Sequence, residues 1–309
     1  VRYPLRSHDI VFLVDIPEAM GSTLYEVLRR QFPAQGVCPR VDADLIDWLA
    51  GAPAEDILRY RLMRAQVGYE VYRHLPRKPV YVTMLRDPEQ RVLSAYASFK
   101  LTSAAGLEEF LRSREAYPWI YNRQTFQLAA RPATLDRQSS PTDDFDRMSE
   151  SAVLEIAKYR LDEFAFFGLA ERLPESLKVL YHTFDWKPDR SVPPAARMAE
   201  SGDPHEVPPG ARERIRELTR LDGELYRHAV KLFEEKLDQM GRERTWAWSW
   251  WSEEPIPFRA KVQALIADAR YEYLTAWLPQ LRKLRRRLIP EGSRLETYYL
   301  RLRMGIFKR

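Results

Sequence analysis

Three short apolar runs constrain this chain more than any other feature. They are His8–Val14 (HDIVFLV), Pro79–Leu85 (PVYVTML) and Phe164–Leu169 (FAFFGL). Each is rich in β-branched or aromatic residues, and each is followed by apolar residues at helical spacing, so each reads as a buried strand leading into a helix. The first enters DIPEAMGST and then LYEVLRRQF, where Ser22 and Thr23 suit the first turn of a helix. The second enters RDPEQRVLSAYASFK, with Pro88 at a position that favours the start of a helix. The third precedes ERLPESLKVLYHTF, with Leu173, Leu177 and Leu180 on one face. Strands separated by helices predict a three-layer α/β domain with a short, mainly parallel sheet.

The segments between the runs read as helical. Residues 41–76 hold two amphipathic patterns, DADLIDWLAG and AEDILRYRLMRAQVGYEVYRHL. Residues 103–159 are mostly helical around the polar stretch RQSSPTDDFD, and 187–210 carry six prolines and read as a surface loop. Residues 211–240 read as one long amphipathic helix. The first domain is therefore expected over 1–240. After Met240 the composition changes, with four Trp in TWAWSWW and then two basic helical segments, so 241–309 is expected to be a helical extension.

Charge separates the two parts. Ten Lys/Arg against two Glu lie between Trp277 and Arg309, which leaves the rest of a +5 chain three units negative. A near-neutral body gives no reason to expect nucleic-acid binding. The basic tail is expected to pack on the body, or to meet a membrane surface or another protein. The Trp cluster reads as packing or a partner contact, with a sugar platform as the alternative.

Several classes are excluded. With 45% hydrophobic and 30% charged residues the chain has a globular composition. No stretch approaches the ~18 apolar residues of a spanning helix, and VRYPLRSHDI has no secretory-leader pattern. A cytoplasmic location is expected, with peripheral membrane contact through the tail. A lone Cys38 excludes an internal disulfide framework, and five scattered His without ligand spacing give no metal site.

Anion chemistry is the strongest functional signal. A strand that runs through a small-residue turn into a helix aims free backbone N–H groups and the positive end of the helix dipole at one point. Here the turn is Asp15–Thr23, without Walker A spacing. Arg86 at the end of the second strand, with Arg91 and Ser94 on the next helix, is suitable for a second phosphate, because a guanidinium grips two oxygens at once.

Five segments in order carry a resemblance. Val11–Thr23 is similar to an HIPKTGGTS loop, Thr83–Ser94 to T-x-L-R-D-P-x-x-R-x-x-S, and Tyr121–Ala130 to N-R-Q-T-R-x-L-A-G. Phe164–Leu177 and Leu221–Ala229 match F-x-x-G-L-x-E-R and L-D-x-x-L-Y. Over roughly residues 8–235 the chain resembles the sulfotransferases that use 3′-phosphoadenosine-5′-phosphosulfate, in the carbohydrate branch that includes heparan sulfate 2-O-sulfotransferase. That resemblance implies a P-loop-like fold, this nucleotide as sulfate donor, no metal, and a glycan hydroxyl as acceptor. It also implies that Gly21, Ser22 and Thr23 hold the 5′-phosphosulfate and that Arg86 and Ser94, with Arg91 beside them, hold the 3′-phosphate.

The departures fall on the chemistry. Glu18 stands where the family has a loop Lys, Asp15 and Met20 where it has His and the first Gly, Gln66 where it has a His base, and Phe126 where it has an Arg. Replacing a cation ~4 Å from a phosphate forfeits on the order of 4 kcal/mol at an effective dielectric near 20, and an anion there costs a similar amount again. Gln66 accepts no proton at neutral pH, which leaves Asp15 as the candidate base if burial raises its pKa. The alternative function is a non-catalytic module of the same fold that binds a nucleotide, glycan or protein.

Overall fold

The computed structural model describes residues 2–100, 106–129, 148–188 and 207–242. Five strands, β1 (Val11–Val14), β2 (Val37–Val41), β3 (Leu62–Ala65), β4 (Val80–Leu85) and β5 (Phe166–Leu169), form one parallel sheet in the order β2-β3-β1-β4-β5. Every residue of β1, β4 and β5 is buried. That burial is why these three runs are almost wholly apolar rather than alternating, the one polar side chain, Thr83, donating its hydroxyl to the Val14 carbonyl at 2.7 Å. The edge strand β2 is half-exposed and tolerates Pro39, which a central position would not.

The helices described are α1 (Gly21–Arg29), α2 (Asp42–Leu49), α3 (Ala54–Ile57), α4 (Pro88–Lys100), α5 (Leu107–Arg112), α6 (Tyr117–Ile120), α7 (Arg123–Ala129), α8 (Glu150–Asp162), α9 (Leu173–Phe184), α10 (Pro209–Leu218) and α11 (Arg220–Arg242). The chain leaves β1 toward β2 in one direction and leaves β4 toward β5 in the other. Right-handed crossovers then put helices on both faces, the three-layer α/β arrangement. A second apolar cluster joins Val92 and Leu93 of α4 to Phe110, Ile120, Ile215 and Leu218 of the neighbouring helices.

Three expectations are corrected. The pattern over 54–75 is not one helix. It contains α3, strand β3 and a 3-10 segment, Tyr69–His74. Leu62–Ala65 are residue types that favour helix, but they pair in register with Val11–Val14, and that sheet pairing outweighs a weak local propensity. Strand β2 was likewise not anticipated. The helix expected over 211–240 is two helices, broken at Thr219, because the Leu218 carbonyl accepts the Asn122 N–H at 2.9 Å and Asn122 then supplies the cap of α11. The extension beyond residue 242 and most of the proline-rich 187–210 stretch lie outside the described residues.

Candidate functional site

The carboxyl ends of β3, β1 and β4 lie side by side, and the chain reverses its direction across the sheet at β1. Open α/β sheets place ligands at such a point. The turn from Asp15 to Met20 leaves β1 there and ends at α1. Glu18 and Met20 both hold left-handed backbone, with φ of 64° and 65°. Gly21 opens α1, where a Cβ would stand 1.8 Å from Asp15 Oδ1, so no larger residue fits. The N–H groups of Gly21, Ser22 and Thr23 have no acceptor within the helix, and Ser22 and Thr23 are partly exposed.

Asp15 is buried against Arg64 of β3. Arg64 Nε donates to Asp15 Oδ2 at 2.7 Å, and its Nη2 lies 2.6 Å from the same oxygen. The guanidinium also sits over the Tyr25 ring. Burial pushes the Asp15 carboxyl above the usual carboxylate range, while Arg64 pulls it down. The Asp15 carbonyl accepts Gln127 Nε2 at 2.9 Å. At the tip of β3, Gln66 donates its backbone N–H to Asp42 Oδ1 at 2.8 Å.

Arg86 stands at the end of β4, nearly buried, and its backbone is clasped. Its N–H donates to Gln124 Oε1 at 2.9 Å, and its carbonyl accepts Gln124 Nε2 at 2.8 Å. The next N–H, that of Asp87, donates to Glu171 Oε1 at 2.9 Å, and Tyr226 OH donates to Glu171 Oε2 at 2.6 Å. Asp87 Oδ1 in turn caps α4 by accepting the Gln90 N–H at 3.0 Å. The Arg86 side chain reaches back to the loop, with Nη1 donating to the Glu18 carbonyl at 3.1 Å.

Behind this turn two polar residues cap each other's helices. Asp222 Oδ1 accepts the Thr125 N–H and hydroxyl, both at 2.8 Å, and Oδ2 accepts the Gln124 N–H at 3.2 Å. Asn122 Oδ1 accepts the Leu221 N–H at 2.8 Å and the Asp222 N–H at 3.3 Å. Burial pushes the Asp222 carboxyl up, opposed by Arg91 and the amide donors.

The expected site residues therefore divide. Gly21, Ser22, Thr23, Arg86 and Ser94 come together around the loop. Arg91 has its two terminal nitrogens engaged elsewhere. It is fully buried, and its Nη1 and Nη2 donate to the carbonyls of Trp119 and Ile120 at 2.9 and 3.1 Å. Asp15 is spent on Arg64 and on the packing over Gly21. Gln124, Glu171 and Arg64 were missed as site residues. Gln124 and Glu171 lie inside the quoted segments, but nothing in one sequence shows that their side chains meet Arg86–Asp87. Phe126, in place of a cation, packs against Tyr121 at 5.6 Å.

Residues 54–247 match the galactose-3-O-sulfotransferase family profile, a stretch that contains Arg86, Ser94, Gln124, Glu171 and Asp222. The chain belongs to that family. It is also 27% identical over 191 residues to galactose-3-O-sulfotransferase 3 of Bos taurus, covering 56% of this chain and 42% of that protein. To heparan-sulfate 6-O-sulfotransferase 2 of Danio rerio it is 30% identical over 187 residues, covering 50% and 38%. The chain thus spans about two fifths of the curated relatives it matches. These matches support a carbohydrate sulfotransferase family but not the expected 2-O branch. The loop at 15–23 precedes the matched stretch, so its assignment rests on its place in the fold.

The expected cytoplasmic location is also corrected. Galactose-3-O-sulfotransferases are lumenal Golgi membrane enzymes, and a missing leader pattern was no basis for placing a relative of theirs in the cytoplasm. Among the described residues no helix is long and apolar enough to cross a membrane.

Proposed function

We propose that this chain is the sulfuryl-transfer domain of a carbohydrate sulfotransferase that takes its donor from 3′-phosphoadenosine-5′-phosphosulfate. In the reaction an acceptor hydroxyl oxygen bonds to sulfur as the bond from sulfur to the bridging phosphate oxygen breaks. Adenosine 3′,5′-bisphosphate leaves, and the acceptor proton passes to water. Gly21, Ser22 and Thr23 at the start of α1 hold the 5′-phosphosulfate, and Arg86 with Ser94 holds the 3′-phosphate. Asp15 and Arg64 act as positioning residues beneath the loop, and Gln124 and Glu171 fix the Arg86–Asp87 turn. The acceptor is a glycan hydroxyl.

The observation that carries this reading is the clasped Arg86 beside the α1 N-terminus, in a chain of this family. The residues present suit an anion, because a carboxylate, that of Glu18, already sits on the Ser94 hydroxyl at 2.6 Å. Calorimetric titration with adenosine 3′,5′-bisphosphate tests it. Arg86→Ala and the charge-retaining Arg86→Lys are each expected to weaken binding at least tenfold, since a charge-assisted hydrogen bond contributes ~1.5–3 kcal/mol. Undiminished binding in both variants overturns the assignment. Sulfate transfer to galactose-terminated or heparan-type oligosaccharides then reports the acceptor.

A further inference from the structure

The sequence places the conflict between Glu18 and the donor at the 5′-phosphosulfate. The structure places it elsewhere. Glu18 holds left-handed backbone, and its side chain reaches α4. There Glu18 Oε2 accepts the Ser94 hydroxyl at 2.6 Å, and Oε1 accepts the Ser98 hydroxyl at 3.0 Å. Arg86 Nη1 holds the Glu18 carbonyl at 3.1 Å, so the same guanidinium that would grip the 3′-phosphate secures the backbone of the residue filling the seat. Two hydroxyl donors hold the Glu18 carboxylate, beside a guanidinium that holds its backbone carbonyl, so the anion seat on α4 is already filled from within the chain.

We infer that Glu18 is an intramolecular competitor for the donor's 3′-phosphate and sets how much that phosphate contributes to binding. This deepens the proposed function and rests on it. A 3′-phosphate cannot share the seat, because two anions within hydrogen-bonding distance of the same hydroxyls repel strongly. It must rotate Glu18 out and take over both hydroxyl donors. The free energy of breaking those bonds is subtracted from the phosphate's own contacts. A nucleotide with a plain 3′-hydroxyl meets no such competition, so the selectivity between the two nucleotides measures the effect.

The experiment titrates adenosine 3′,5′-bisphosphate and adenosine 5′-monophosphate into the full chain, into Glu18→Gln, and into Glu18→Gly. The Gly variant suits the left-handed position and so secures a folded protein. Affinity for the bisphosphate is expected to rise about tenfold or more in both variants, with monophosphate affinity changed less than about twofold, as the loss of two charge-assisted bonds from the competitor predicts. Arg86→Ala placed on Glu18→Gly should remove the gain. An equal rise for both nucleotides means that Glu18 acts at the 5′ end and overturns the inference. Tight bisphosphate binding that does not respond to Glu18 also overturns it, yet leaves the donor site standing. No nucleotide binding in any of the proteins overturns the donor site itself and the inference with it.

Discussion

Glu18 and Met20 occupy backbone that glycine holds without strain and other L-residues hold at ~1–2 kcal/mol. Met20 is half-exposed and opens α1 without any side-chain cap, so its side chain gives little in return. Met20→Gly is expected to raise stability by about 0.5–1 kcal/mol, after allowance for the looser unfolded chain, and thermal unfolding would show it as a higher Tm. Gly21 is the opposite case. Its missing side chain is what lets the Asp15 carboxylate lie across the start of α1, so the loop's first and last residues form one unit. In the sequence, Gly21 stands out only as a residue that the resemblance assigns to the 5′-phosphosulfate. Its first duty in the fold is to make room for a neighbour.

At the scale of elements, α7 and α11 are joined by an exchange of caps between Asn122 and Asp222. Each single Ala substitution strands buried N–H groups and is expected to cost about 1–3 kcal/mol. The two together should cost less than their sum, with a coupling above ~0.5 kcal/mol in a double-mutant cycle by chemical denaturation. A coupling near zero would mean that the caps act separately. This exchange also explains what the sequence could and could not show. The apolar runs at β1, β4 and β5 were legible because burial on both faces leaves almost no polar residue in them, Thr83 being the exception. Strand β3, four residues with an Arg inside, carries no such pattern and owes its form to β1. The segments around Asn122, Glu171 and Leu221 were visible as motifs, yet their task is to hold one another and the Arg86–Asp87 turn. Such partners are between 38 and 100 positions apart in the chain, and no local periodicity reports a contact of that kind.

At the scale of the molecule, the long helix α11 lays a half-buried cation against the sheet. Lys236 Nζ lies 4.3 Å from the centroid of the Phe167 ring on β5, and burial lowers its pKa to about 8, with Asp162 pulling the other way. The unfolded chain keeps the ordinary lysine value, so between about pH 8 and 10.5 it binds the proton that the folded chain has released. Folding stability should therefore gain from this group as pH rises through that window, by up to ~3 kcal/mol. Denaturant titrations at pH 7, 8.5 and 10 should show the gain in the native chain and its loss in Lys236→Met. The clasp around Arg86 has a consequence of a different kind. Side chains from α7, α11 and the segment after β5 fix that turn during folding, so its conformational entropy is already spent before any nucleotide arrives. Under the proposed donor role, a phosphate would meet immobile donors at this turn and would have to displace one side chain, Glu18, from its two hydroxyls.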